Sequence, residues 1–198
     1  QVAVAVEQSL EAIRTRAPSA VPFFEPSLLE GWPERLRRTV DALAAAAAGG
    51  AVGLKIRCGG LDASAFPSPQ AVAAALAACR RSGIPLKATQ GLHQPVRHFD
   101  AGLDTKVYGF LNLFFAGVLA HCHGLSEQEL VAITEERDPA AFRFHDAGLS
   151  WRERAAGLGA IAAARRAAVT SFGSCSFSEP RDALRTLGLL EAGEPARS

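Results

Sequence analysis

Methionine is missing from this chain altogether, tyrosine occurs once and tryptophan twice. With no initiator residue, the chain reads as processed or as a piece of a longer protein, and the piece is the favoured expectation. Long apolar runs are missing as well. A run such as Ala42-Leu43 followed by Ala44 to Ala48 falls far short of the roughly 20 apolar residues that span a bilayer. Residues 1–20 lack the charged start and apolar centre of a secretory signal. No cysteines stand at CxxC spacing. Cys58, Cys79, Cys122 and Cys175 are scattered, which argues against a zinc ribbon or a disulfide framework and reads as reduced thiols in a cytoplasmic protein. An excess of charge is absent too: 21 Lys+Arg against 20 Asp+Glu leave +1, so nothing calls for nucleic acid or an anionic membrane as partner.

What is present is enough apolar residue for one core. The 198 residues are 48% hydrophobic, and a single domain is expected. The runs at 2–6, 21–25, 52–57, 84–89 and 169–173 read as strands. Between them, Leu10 and Ile13 point to a helix ending before Pro18. Pro33 opens a second helix with a stripe of Leu36, Val40 and Leu43, and Ser68-Pro69 opens a third, through Val72, Leu76 and Cys79 to Gly83. Strand-helix alternation with short connections is the pattern of a parallel sheet. About 105–168 breaks the rhythm as a helical insertion. Tyr108 to His123 reads as an apolar helix, Ser126 with Glu129 as a capping box, and Ser150 with Glu153 as the cap of a helix to Ala168. A short helix over 180–187 closes the domain, and 191–198 reads as a flexible tail. The expected class is α/β: a (β/α) barrel-like domain over 1–190 with parallel strands and helices outside. It is shorter than the roughly 250 residues of a TIM barrel, hence truncated; an open doubly wound sheet is the alternative.

The most informative stretch is Gly53-Leu54-Lys55-Ile56-Arg57-Cys58-Gly59-Gly60, echoed by Ile84-Pro85-Leu86-Lys87-Ala88-Thr89-Gln90-Gly91. Alternation along a strand puts Leu54 and Ile56 on one face and Lys55 and Arg57 on the other; Lys87 and Thr89 share a face in the same way. A cation within an apolar run needs a partner or a ligand. Lys55 and Lys87 are therefore the candidate amine nucleophiles, and Arg57 the fork for a carboxylate or phosphate. The plain alternative is a structural ion pair of Lys55 with Glu25, which alternation places on the same kind of face one strand earlier.

The loop after the second run holds His93 and His98, candidate acid/base groups where barrel enzymes keep their chemistry; Arg97 between them is an anion ligand or solvated. Gly173-Ser174-Cys175-Ser176 follows the last strand, where Ser174 and Cys175 can contact an anionic substrate, with Glu25, Thr89 and Asn112 as further substrate contacts. Asn112, on an apolar helix, serves equally well as a structural bond. Glu179, beside Pro180 at a helix start, reads as a charge that offsets the helix dipole. His121-Cys122-His123 looks like a metal motif, but residues two apart on a helix point in different directions, and no second ligand pair supports it.

Four stretches together resemble a family of uncharacterised bacterial proteins: Lys55 to Gly60; Leu86-Lys87-Ala88-Thr89-Gln90-Gly91-Leu92-His93-Gln94-Pro95-Val96-Arg97-His98; Gly109-Phe110-Leu111-Asn112; and Ser171-Phe172-Gly173-Ser174-Cys175-Ser176-Phe177-Ser178-Glu179-Pro180. The resemblance covers about 50–190 and brings no activity with it. The family pattern has Thr where this chain has Cys58, and His where it has Gln94. At the level of pattern alone, the Lys-and-Gly strand ends are similar to those of Schiff-base aldolase barrels such as deoxyribose-phosphate aldolase. The expectation is a lyase- or aldolase-like barrel enzyme acting on a small anionic or carbonyl substrate, without cofactor or resident metal. Its partner is that small molecule, with no nucleic acid and no membrane, and a homo-oligomer is allowed. A metal-dependent hydrolase using His93, His98 and Glu25 is the second expectation, and a non-catalytic barrel the third.

Overall fold

The first apolar run is not a strand. In a computed structural model that describes residues 2–190, Val2–Arg16 is a helix, α1. Val2, Val6 and Leu10 recur at helical spacing as well as alternating, and in the helix Val6 and Leu10 are buried while Val4 lies exposed. After β1 (Phe23–Phe24), α2 (Trp32–Ala46) packs on α1. β2 (Gly53–Arg57) leads to α3 (Pro69–Ser82) and β3 (Leu86–Thr89). The Ser68 hydroxyl accepts from the Ala71 N–H at 3.2 Å, and Gly83 ends α3 in the left-handed conformation.

The stretch from 98 to 157 is less helical than its sequence reads. β4 (His98–Asp100) and β5 (Thr105–Val107) form a hairpin whose turn is held by Asp100, accepting from the N–H groups of Gly102 and Leu103. Then come α4 (Phe110–His123) and α5 (Glu127–Glu135), the latter with the expected capping box between Ser126 and Glu129. Ser150 caps no helix. The chain instead makes an antiparallel meander, β6 (Phe142–His145), β7 (Gly148–Trp151) and β8 (Arg154–Gly157), and becomes helical only in α6 (Leu158–Ala167). Its tight turns explain the difference. Arg152 has φ 50° and Gly148 φ 152°, and a Cβ at Gly148 would run into the Ala156 carbonyl. β9 (Val169–Gly173) and α7 (Ser178–Thr186) follow. The tail expected at 191–198 lies outside the described residues.

The main sheet has the order β1-β2-β3-β9 with every pair parallel. Each strand lies beside the one that precedes it in this sheet, with no reversal of direction across the sheet, so a doubly wound switch point is absent from it. The fold is therefore α/β with a four-stranded parallel sheet; it is open, and no closed barrel is present among the described residues. Leu54, Ile56, Leu86 and Ala88 point into the core that α2, α3 and α4 share, all under 5% exposed. Lys55, Lys87 and Ser171 stand in register on the opposite, half-open face. At the α4–β9 contact Gly117 is needed, because a Cβ there would stand 2.5 Å from both methyls of Val169. Among the described residues no helix is long and apolar enough to cross a membrane.

Candidate functional site

Parallel strands in register bring their C-terminal ends to one edge of the sheet, and there β2 finishes at Arg57, β3 at Thr89 and β9 at Gly173. The loops that follow β2 and β3 cross closely. A Cβ at Gly59 would lie 3.1 Å from the Gly91 Cα, and Gly91 itself has φ 69°. That contact is why both runs end on glycine. Between these loops and the β4–β5 hairpin opens a cavity of about 800 Å3.

Six of the residues singled out from sequence line it: Arg57, Thr89, His93, His98, Ser174 and Cys175. Gln90, Asp62 and Asp100 also line it and were not anticipated. Gln90 has φ 63°, a conformation that non-glycine residues adopt rarely and that clusters at functional sites.

Three groups meet where the loop after β3 comes against the β9–α7 loop and the first turn of α7. His93 Nδ1 lies 2.7 Å from Glu179 Oε2, and Cys175 Sγ lies 3.4 Å from His93 Nε2. A carboxylate only accepts, so in the neutral ring this bond puts the proton on Nδ1 and leaves the lone pair on Nε2. The sulfur is also 4.0 Å from Nδ1, so it sits beside the ring rather than on the Nε2 axis. Glu179 is therefore more than a charge at a helix start. No local pattern reveals the pair, since its members are 86 positions apart.

The thiols differ in environment. Burial pushes Cys79 up to about 12 and Cys58 higher still, and raises half-buried Cys122 as well, so these thiols stay protonated. Cys175 is the exposed one.

The cations divide. Lys55 Nζ is 2.8 Å from Glu25 Oε2 and Arg57 Nε 3.1 Å from Glu25 Oε1, so one carboxylate ties both. Burial works against the Glu25 charge, but hydrogen bonds from Lys55 and Arg57 outweigh it and hold the carboxyl below its ordinary range. Arg57 is oriented from its other side by Gln90 Oε1, which accepts from Nη1 at 3.0 Å. Lys87 has no carboxylate within ion-pair reach among the described residues, and its Nζ lies 4.8 Å from the centre of the Phe23 ring. That ring crosses β2 over Gly53, where a side chain would collide with it. Lys55, Lys87 and Glu25 lie on the sheet face outside the cavity wall.

Asn112 is elsewhere. It is fully buried, its Oδ1 accepts from the Arg97 N–H at 2.8 Å, and its Nδ2 donates to the carbonyls of Ile133 and Glu136, each at 2.8 Å. All of its capacity for substrate is spent on backbone. His93, His98 and Glu25 are not gathered into a three-ligand group, and among the described residues no cluster of His, Cys, Asp and Glu could hold a metal. His123 Nε2 instead meets the Ala155 carbonyl at 2.6 Å, tying α4 to β8.

No protein-family model, curated protein or solved structure matches this chain, so the geometry of the cavity is what speaks for its function.

Proposed function

We propose that the protein is an enzyme in which the Cys175 thiol attacks the carbonyl carbon of a small anionic substrate, with His93 as base and acid and Glu179 orienting the imidazole. The observation that carries this reading is the Cys175–His93 contact on the wall of an 800 Å3 cavity at the strand ends, with Glu179 behind the imidazole. In the first step sulfur bonds to carbon as its proton passes to Nε2. The tetrahedral adduct then collapses, the leaving group departs with that proton, and a thioester remains. Water hydrolyses it by the same base, returning the proton to sulfur. Arg57, held by Glu25 and Gln90, fits the substrate's anionic group. The start of α7 close by favours negative charge on the attacked oxygen.

The test is intact-mass detection of an acyl-enzyme on a panel of small anionic esters and thioesters. A covalent adduct on the wild type, absent in Cys175→Ser, supports the assignment; adducts that persist in Cys175→Ser end it.

The second reading is Schiff-base chemistry at Lys87, favoured by that amine's lack of a carboxylate partner beside the like charge of Lys55. It ranks second because neither lysine lines the cavity. For the fold, we read the open sheet as an arc of a (β/α) barrel: its strand order is sequential, and its polar face is the one a barrel turns inward.

A further inference from the structure

On the other side of the 94–98 segment lies a second cavity, of about 480 Å3, walled by Arg97, Arg137 and α7. We propose that it binds a small oxyanion, a phosphate or carboxylate group, between the Arg97 and Arg137 guanidiniums. This site does not rest on the chemistry of Cys175.

Arg97 is the reason. It is only 7% exposed, and its Nη1 is buried with no hydrogen-bond partner. No carboxylate lies within ion-pair reach of it among the described residues. A buried cation left with an unused donor is unfavourable unless something completes it. What does surround it is a rigid mount. The guanidinium lies over the ring of fully buried Tyr108 at 4.4 Å, and the Tyr108 hydroxyl donates to the Pro67 carbonyl at 2.8 Å. The Arg97 N–H is fixed by Asn112, and the Gln94 and Pro95 carbonyls accept from the N–H groups of Phe110 and Leu111 at the start of α4. The donor is thus preorganised, the condition under which a guanidinium selects a planar or tetrahedral oxyanion.

The rest of the wall agrees. Arg137 is an exposed second guanidinium with no ion pair among the described residues. Of the two carboxylates that line the cavity, Asp182 is paired with Arg185 and Glu179 accepts from His93, both at 2.7 Å. Gln94 and His98 line both cavities, so an anion here would sit one residue layer from the cysteine.

Inorganic phosphate and, separately, acetate are titrated calorimetrically into the full chain, with chloride keeping ionic strength constant. Saturable binding of one of them is expected, and which one binds tells phosphate from carboxylate chemistry. Arg97→Met should weaken that binding about tenfold or more, and Arg137→Ala about threefold or more. Because Arg97→Met disturbs a buried site, circular dichroism must show it folded; if it is not, exposed Arg137→Ala decides. Absence of saturable binding by either anion, or a dissociation constant unchanged in the folded variants, overturns the proposal.

Discussion

Replacing Asn112 with leucine should destabilise the protein far more than the loss of one polar side chain from a surface. Its amide joins three backbone groups that belong to different parts of the chain: the Arg97 N–H, and the Ile133 and Glu136 carbonyls. None of these groups can be substituted away, and all meet a residue that is 0% exposed. Each buried group left unsatisfied costs about 1–3 kcal/mol, and partial relaxation brings the sum to about 3–5 kcal/mol. That is a large share of the roughly 5–15 kcal/mol that holds an ordinary domain folded. At about 2–4 °C per kcal/mol for a chain of this size, the midpoint should fall by about 10 °C. Urea denaturation followed by the fluorescence of Trp32 and Trp151 measures the free-energy change, and a thermal melt measures the midpoint. Asn112→Asp should do no better, since it keeps the acceptor for Arg97 but replaces the two donors with an oxygen facing carbonyls that cannot donate. A leucine variant within about 1 kcal/mol of wild type would refute this reasoning.

Three further outcomes follow from named contacts. Burial disfavours the Glu136 charge, but bonds from Arg152 at 2.8 and 3.0 Å and from the N–H groups of Asp138 and Arg137 outweigh it and keep its folded pKa below the ordinary 4.5. A depressed folded value stabilises above the unfolded pKa and is lost as pH falls through the folded one, so stability should decline below about pH 4.5. Glu136→Gln should flatten that decline in urea melts from pH 7 to 3; an unchanged slope speaks against it. Gly117→Ala should destabilise by about 1–3 kcal/mol, because its methyl meets Val169, and a neutral result would mean that β9 can move away from α4. Borohydride with small aldehydes or keto acids should leave Lys87 unmodified if the cysteine reading holds, and trapping at Lys87 would promote the Schiff-base reading.

Elements with a local chemical signature are legible in the amino-acid sequence. Ser68-Pro69, the Ser126–Glu129 box and the glycines after α3 and α4 each announce a helix boundary, because caps satisfy backbone groups a few residues away. The cationic face of β2 and β3 follows from alternation alone. Val2 to Val6 misleads because alternate valines also lie four apart, and the packing of α1 on α2, not the local pattern, selects the helix. Ser150 and Glu153 imitate a capping box, yet Glu153 sits in the β7–β8 turn, where the left-handed Arg152 reverses the chain. At the site, His93 and Cys175 can be named from their positions after strands. The link between them cannot, since Glu179, His93 and Cys175 meet only through the β3–β9 pairing. Lys55 and Lys87 show the reverse: alternation finds their face, but not that it lies outside the cavity.

The central claim is that His93 activates Cys175, and alkylation kinetics at Cys175 test it most directly. The protein is treated with limiting iodoacetamide near neutral pH, and modification of each cysteine is followed by peptide mass spectrometry. Cys175 should react first, with buried Cys58 and Cys79 untouched. His93→Ala should slow Cys175 about tenfold or more, and Glu179→Gln by a smaller factor, as expected when a base and its orienting group are removed in turn. Equal rates at Cys175 in the wild type and His93→Ala would contradict the account.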